Sequence, residues 1–142
     1  MNATQLNLEV RDSVFSPNLS REDPENRVNV HKEGQDTYYY KVWLYLEGYD
    51  LPYVESVTYE LDPTFPEPRQ TVRRTASNPN CQLSFWTWGL FTVIATITDK
   101  KGFEYRVSHE LGYYTELPKE RNRYNLDTTE PRTTARPTLV SA

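Results

Sequence analysis

Apolar and polar residues alternate with period two in several short runs along this chain, the pattern of half-buried strands. LNLEV puts Leu6, Leu8 and Val10 on one face. In TYYYKVWLYLEG, Val42, Leu44 and Leu46 point one way and Trp43 and Tyr45 the other, so both faces are apolar and the strand is expected centrally between layers. VESVTYEL sets Val57, Tyr59 and Leu61 against Thr58 and Glu60. LFTVIATITD aligns Phe91, Val93, Ala95 and Ile97, with mainly threonines opposite. A DKKG turn then predicts FEYRVSHEL as the return strand. RQTVRRTA is polar and predicts an edge strand blunted by charge. SPNLSREDPENRVNVHKEGQD, with Pro17, Pro24 and Gly34, predicts a long loop holding a short strand at RVNV, and SNPNC a turn. No segment keeps a helical period. These elements predict an all-β chain, an antiparallel β-sandwich over residues 1–115. Residues 116–142 carry few apolar groups and several Thr and Pro, and predict a flexible tail or linker.

Composition narrows the classes. A chain of 142 residues predicts one domain, long enough for a core without disulfides or metals. The single cysteine, Cys81, excludes an intramolecular disulfide. The net charge of −4 argues against nonspecific nucleic-acid binding and against an anionic membrane surface. MNATQLNLEVRDSVF lacks the basic start and apolar run of a signal peptide, and no stretch approaches the roughly 20 apolar residues of a membrane span. A cytoplasmic location is the expectation. The 11 Tyr and 3 Trp suit strands and also binding surfaces, because aromatic side chains carry large apolar area.

Catalytic signatures are missing. There is no G-x-S-x-G and no phosphate-binding glycine loop. Two histidines, His31 and His109, with one cysteine make neither a zinc site nor an activated thiol, so no metal and no cofactor is expected. Cys81 reads as an inert, partly exposed thiol in its Pro/Asn-rich turn. Asp62 with Glu60 or Glu67 has the composition of an acid/base pair, but carboxylates are common at strand ends. Arg69, Arg73 and Arg74 read as the solvated face of the edge strand. The chain is expected not to be an enzyme.

One loop stands out. LDPTFPEPR, residues 61–69, holds a bulky aromatic, Phe65, among three prolines where a loop is normally polar. VESVTYELDPTFPEPR resembles the signature of the YEATS domain family, an I/V-x-x-V-x-F/Y-x-L strand running into an H-x-S/T-F loop followed by prolines. LSFWTWGLF is similar to the family's G-W/Y-G/A-x-F loop, and YKVWLYLEG to its H-x-W-x-V-x-V-x-G strand. The three segments occur in the family's order and span about residues 38–110. The acidic character points to the prokaryotic branch.

The resemblance implies an immunoglobulin-like sandwich whose loops form a slot for an acylated lysine. Phe65 then matches the first ring, Thr64 the hydroxyl, and Trp88 both the second ring and a backbone N–H donor. Asp62, Thr87, Gly89 and Trp86 complete the implied site. On this reading the prolines stiffen the loop so that Phe65 is presented outward. The expected partner is a protein or peptide, with acylated lysine as its recognised group. Three departures bear on the ligand. The family's loop histidine is Asp62 here, its opening glycine is Thr87, and the histidine and tryptophan of the first strand are Tyr40 and Val42. Two alternatives stay open: Phe65 and Trp88 as packing residues capping the sandwich, and the sandwich as a protein–protein interaction or sensor domain of a larger system without acyl-lysine reading.

Overall fold

A computed structural model describes residues 6–34, 37–126 and 134–135. Among these described residues, ten strands form two sheets: β1 (Glu9–Ser13), β2 (Val28–Glu33), β3 (Thr37–Glu47), β4 (Val54–Glu60), β5 (Arg69–Arg73), β6 (Leu83–Thr87), β7 (Thr92–Asp99), β8 (Glu104–Glu110), β9 (Tyr124–Leu126) and β10 (Thr134–Ala135). The larger sheet runs β10-β6-β3-β2-β9, with β1 also paired to β3. The smaller runs β5-β4-β7-β8. The principal pairings are antiparallel; β9 on β2 and β10 on β6 are parallel. The expected all-β sandwich is therefore the fold.

Alternation builds the core as the sequence predicts. Val42, Leu44, Leu46 and Phe85 of the larger sheet meet Val57, Tyr59, Val93, Ala95 and Ile97 of the smaller in one buried cluster. Inside it, the Tyr59 hydroxyl donates to the Cys81 carbonyl at 2.8 Å, so the buried phenol keeps a partner. β5 lies at a sheet edge, as its charged pattern predicts.

Four expectations differ from the fold. The first strand begins at Glu9, not Leu6, although Leu6 and Leu8 still pack against the core. β3 is central within its sheet but not between layers, since Trp43 and Tyr45 on its outer face remain half-exposed. SFWTW, read as a loop, lies largely within strand β6, paired to β3 along Tyr40↔Thr87 to Leu44↔Leu83. Cys81 is fully buried rather than partly exposed. It sits at a φ of 54°, and burial raises its thiol pKa to about 11.

The first part of the predicted tail is ordered: β9 pairs with β2, and Leu117 and Tyr124 pack against the core. Arg123 anchors this stretch. Its Nη2 donates to the carbonyls of Arg21 (2.8 Å) and Asn26 (3.3 Å), and its guanidinium stacks 5.0 Å from the Phe15 ring. Residues 127–133 and 136–142 of that tail lie outside the described residues.

Strand directions decide which loops share an end. β6 ends at Thr87 opposite Tyr40, so the chain leaving it passes the start of β3. β4 ends with Glu60 opposite Ile94, and β8 with Glu110 opposite Thr92. The β4–β5 loop, the β6–β7 loop and the segment after β8 therefore gather at one end. The β3–β4 and β7–β8 connections lie at the other, tied by Lys100 N–H to the Tyr53 carbonyl at 2.9 Å. There Gly48, at φ +147°, leaves room for Asn7: a Cβ would stand 2.2 Å from the Asn7 carbonyl oxygen.

Candidate functional site

At the loop-rich end, the two aromatics singled out by the sequence take opposite fates. Asp62 curls the β4–β5 loop by accepting from the Thr64 N–H at 3.0 Å and the Thr64 hydroxyl at 2.7 Å, an Asx-type turn. Phe65 N–H closes it on the Asp62 carbonyl at 3.0 Å. The turn directs Phe65 inward, where it is only 4% exposed. Its ring packs edge-on against Phe85 (centroids 5.4 Å) and Phe91 (5.7 Å). The expectation that Phe65 is presented is thus corrected: the stiff loop presses the ring onto the end of the core. Thr64 stays exposed at the loop surface, its hydroxyl proton engaged by Asp62.

Trp88 remains half-exposed, just past the end of β6. Thr87 beneath it is fully buried, its hydroxyl 3.4 Å from both the Gly89 N–H and the Gly89 carbonyl. The loop is held from outside by the 3-10 turn Tyr113–Glu116 that follows β8. The Tyr113 hydroxyl donates to the Gly89 carbonyl at 3.0 Å, and the Tyr114 hydroxyl to the Trp88 carbonyl at 2.7 Å. Trp86 sits on the half-exposed face of β6, across from Lys41. Phe85, next to it, is core.

That turn is itself pinned at both ends to β1. Asp12 accepts from the Gly112 N–H (3.1 Å to one oxygen) and pairs with His109 Nε2 at 2.6 Å. Glu116 accepts from the Val14 N–H at 3.0 Å, the Ser13 hydroxyl at 3.3 Å and the Arg21 guanidinium. His109 thus has a structural partner in Asp12.

Trp88 faces an open cleft of about 530 Å³ lined by Thr37, Tyr38, Tyr40, Tyr114 and Leu117. None of the six lining side chains is charged. Tyr38 and Tyr114 are 42% and 44% exposed. Tyr40 is backed by Tyr113 (5.9 Å) and Tyr114 (6.5 Å), and Tyr113 meets Tyr114 edge-on at 4.8 Å. Partial burial, then the neighbouring phenols, raises the Tyr40 pKa, and deeper burial drives that of Tyr113 far above the ordinary phenol range. The Tyr40 and Tyr113 hydroxyls therefore keep their protons at neutral pH. The Trp88 indole N–H is buried without an acceptor among the described residues.

Sequence reasoning found Trp88 but missed the tyrosines around it. The available signal was TYYYK, a triplet in which Tyr38 and Tyr40 share a strand face. Nothing local marked Tyr114, which reaches the cleft through the turn after β8. Among the described residues, no group of three or more His, Cys, Asp or Glu side chains is placed to hold a metal ion. No helix among them is long and apolar enough to cross a membrane.

Comparison with known proteins adds the following. The family described as the prokaryotic YEATS domain matches residues 38–112. The chain is 36% identical over 87 residues to transcription initiation factor TFIID subunit 14 of Schizosaccharomyces pombe, covering 60% of this chain and 34% of that protein. It thus spans about a third of that relative's length. Among solved structures it is similar to the Yaf9 YEATS domain recognising an H3K122suc peptide, at 12% identity over 78% of each chain with a TM-score of 0.49. It is also similar to the yeast AF-9 homolog Yaf9, at 12% identity over 75% of this chain and 69% of that one, with a TM-score of 0.47.

Proposed function

Since the chain belongs to the prokaryotic YEATS domain family, we propose that it is a non-enzymatic recognition module for an acyl-lysine side chain or a similar flat acyl group carried on a protein or peptide. The observation that carries this reading is Trp88, half-exposed on a preformed cleft with no charged lining. A lysine acyl-amide is neutral and planar, so an aromatic face stacks on it while the alkyl stem is buried. An unmodified ammonium would shed its water in an uncharged cleft without a counter-charge, which disfavours it. Selection for the acylated form follows from that asymmetry.

Asp62 changes the polar side of the reading. The Thr64 hydroxyl already donates to Asp62, and neither residue lines the Trp88 cleft, so this pair shapes the neighbouring loop rather than holding the ligand's amide. Trp88 supplies the ring and a backbone N–H for the ligand carbonyl. Thr87 and Gly89 shape the loop that carries it, and Trp86 flanks the entrance. Titration of labelled protein with acetyl-lysine, crotonyl-lysine and unmodified lysine amides tests this by NMR. Saturable shifts of the Trp88 indole and of the Trp88 backbone amide are expected with the acylated forms only. Equal response to unmodified lysine, or none at millimolar acyl-lysine, would refute it.

A second reading, a protein–protein interaction module, is favoured by the opposite end of the sandwich. Tyr49, Tyr53 and Phe103 are 87%, 62% and 53% exposed there, the kind of aromatic side chain enriched in interface cores.

A further inference from the structure

We infer that the acyl group lies on the tyrosine side of Trp88, between its ring and a wall made by Tyr38, Tyr40 and Tyr114, and not between Trp88 and Phe65. This rests on the acyl-recognition reading above and assigns its second wall.

Phe65 is unsuited to that task. Its ring is buried against Phe85 and Phe91. Opening a slot along it would strip those contacts and expose the end of the core before any ligand contact formed. The tyrosine cleft needs no such opening. Its volume of about 530 Å³ falls within the range of small-ligand sites, roughly 300–1,000 Å³.

The wall is also rigid. Tyr40 cannot fold away because Tyr113 and Tyr114 stand behind it. The Tyr114 hydroxyl bridges to the Trp88 carbonyl, so one side chain both lines the cleft and fixes the spacing to the opposing loop. The turn bearing it is fastened to β1 through Asp12 and Glu116. By contrast, no acceptor among the described residues holds the Trp88 indole N–H. A rotation of the ring can turn that donor toward an acyl oxygen, satisfying a group that has no partner among the described residues.

Charge near the rim is mixed. Lys32 Nζ stands 5.8 Å from the Tyr38 ring, and Glu33 lies opposite Thr37 in the β2–β3 ladder. A neutral acyl-amide suits such a rim better than either ion. Tyr114 is on this view a positioning residue as well as a wall.

The test compares acetyl- and crotonyl-lysine amide affinities of the full chain with those of Tyr38→Ala, Tyr114→Phe and Phe65→Leu, alongside melting curves. Tyr38→Ala removes an exposed ring and is expected to weaken binding roughly five- to tenfold, the size of one aromatic stack. Tyr114→Phe keeps the ring but loses the bridge to Trp88. It should weaken binding about threefold with an unchanged melting point and a displaced Trp88 amide signal, restored toward wild type by no ligand concentration. Phe65→Leu should lower the melting point yet hold affinity within about twofold in the folded protein. The inference is overturned if Phe65→Leu abolishes binding while both tyrosine variants bind like wild type; acyl recognition itself would then stand. Absence of any acyl-lysine binding by the wild-type chain would refute both.

Discussion

The β4–β5 and β6–β7 loops meet at the same end of the sandwich, and each carries one large aromatic. Phe65 is drawn under the loop by the Asp62 turn and completes a phenylalanine cluster with Phe85 and Phe91. Trp88 is held out by two tyrosine hydroxyls that take the carbonyls of its own loop. What separates them is where the backbone hydrogen bonds are satisfied. A loop closed on itself turns its ring onto the core, whereas a loop tied to a neighbouring segment leaves its ring free to line a cleft. An aromatic in a loop is therefore not by itself a displayed aromatic.

The contrast makes its largest prediction for Phe65→Ala, which removes a buried ring and should cost about 3–5 kcal/mol of unfolding free energy. Trp88→Ala should cost less, about 1–2 kcal/mol, because part of that ring is already in water. Chemical denaturation measures both, and equal costs would break the distinction. Labelling of Cys81 sharpens it, since this thiol is buried in the same core cluster as Phe65. The Phe65 variant should label roughly a few hundred- to a few thousandfold faster than wild type, and the Trp88 variant about 5–30-fold faster, as the opening free energies dictate.

Next in size is Tyr113→Phe, which leaves the buried Gly89 carbonyl only the long Thr87 hydroxyl contact and should destabilise by about 1–2 kcal/mol. Hydrogen exchange should localise the loosening to the β6–β7 loop. If the β4–β5 loop loosened equally, the two loops would not be independently held.

Asp62→Ala should cost about 1 kcal/mol by undoing the turn that buries Phe65. Its signature is a change in the Phe65 ring environment by NMR with Trp88 unmoved.

The pH dependence of the core gives a smaller effect. The folded Cys81 thiol keeps its proton up to about pH 11, against a reference value of 9.0. Its contribution is complete below about pH 9 and declines as pH rises toward 11, because the unfolded chain ionises first and is favoured. Tyr59 and Tyr113, whose pKa values are raised chiefly by burial, extend the decline beyond pH 10. Cys81→Ala should flatten the pH 9–11 portion of a denaturation-midpoint profile, leaving the tyrosine portion.

Much of the fold was legible because alternation is a local property. Val42, Leu44 and Leu46, Val57 and Tyr59, and Val93, Ala95 and Ile97 all face the core as period two requires. β6 escaped because SFWTW carries aromatics on both faces and ends at a glycine. Its strand character comes from pairing with β3, a partner some 40 residues earlier in the chain. β9 is similarly a matter of partners: YNL has no alternation to read, and it is a strand because β2 offers an edge and Arg123 clasps the approach.

The sequence by itself determined the sandwich, the family and the two loops that carry the aromatic pair, since each is written in short-range periodicity or in local motifs. Only the tertiary structure decided that Phe65 belongs to the core, that Trp88 opens onto Tyr38, Tyr40 and Tyr114, and that the turn after β8 closes one side of the cleft. Side-chain direction in a loop obeys no period. It is set by which hydrogen bonds close the loop and by which volumes remain unfilled beneath it, and both depend on residues distant in the chain.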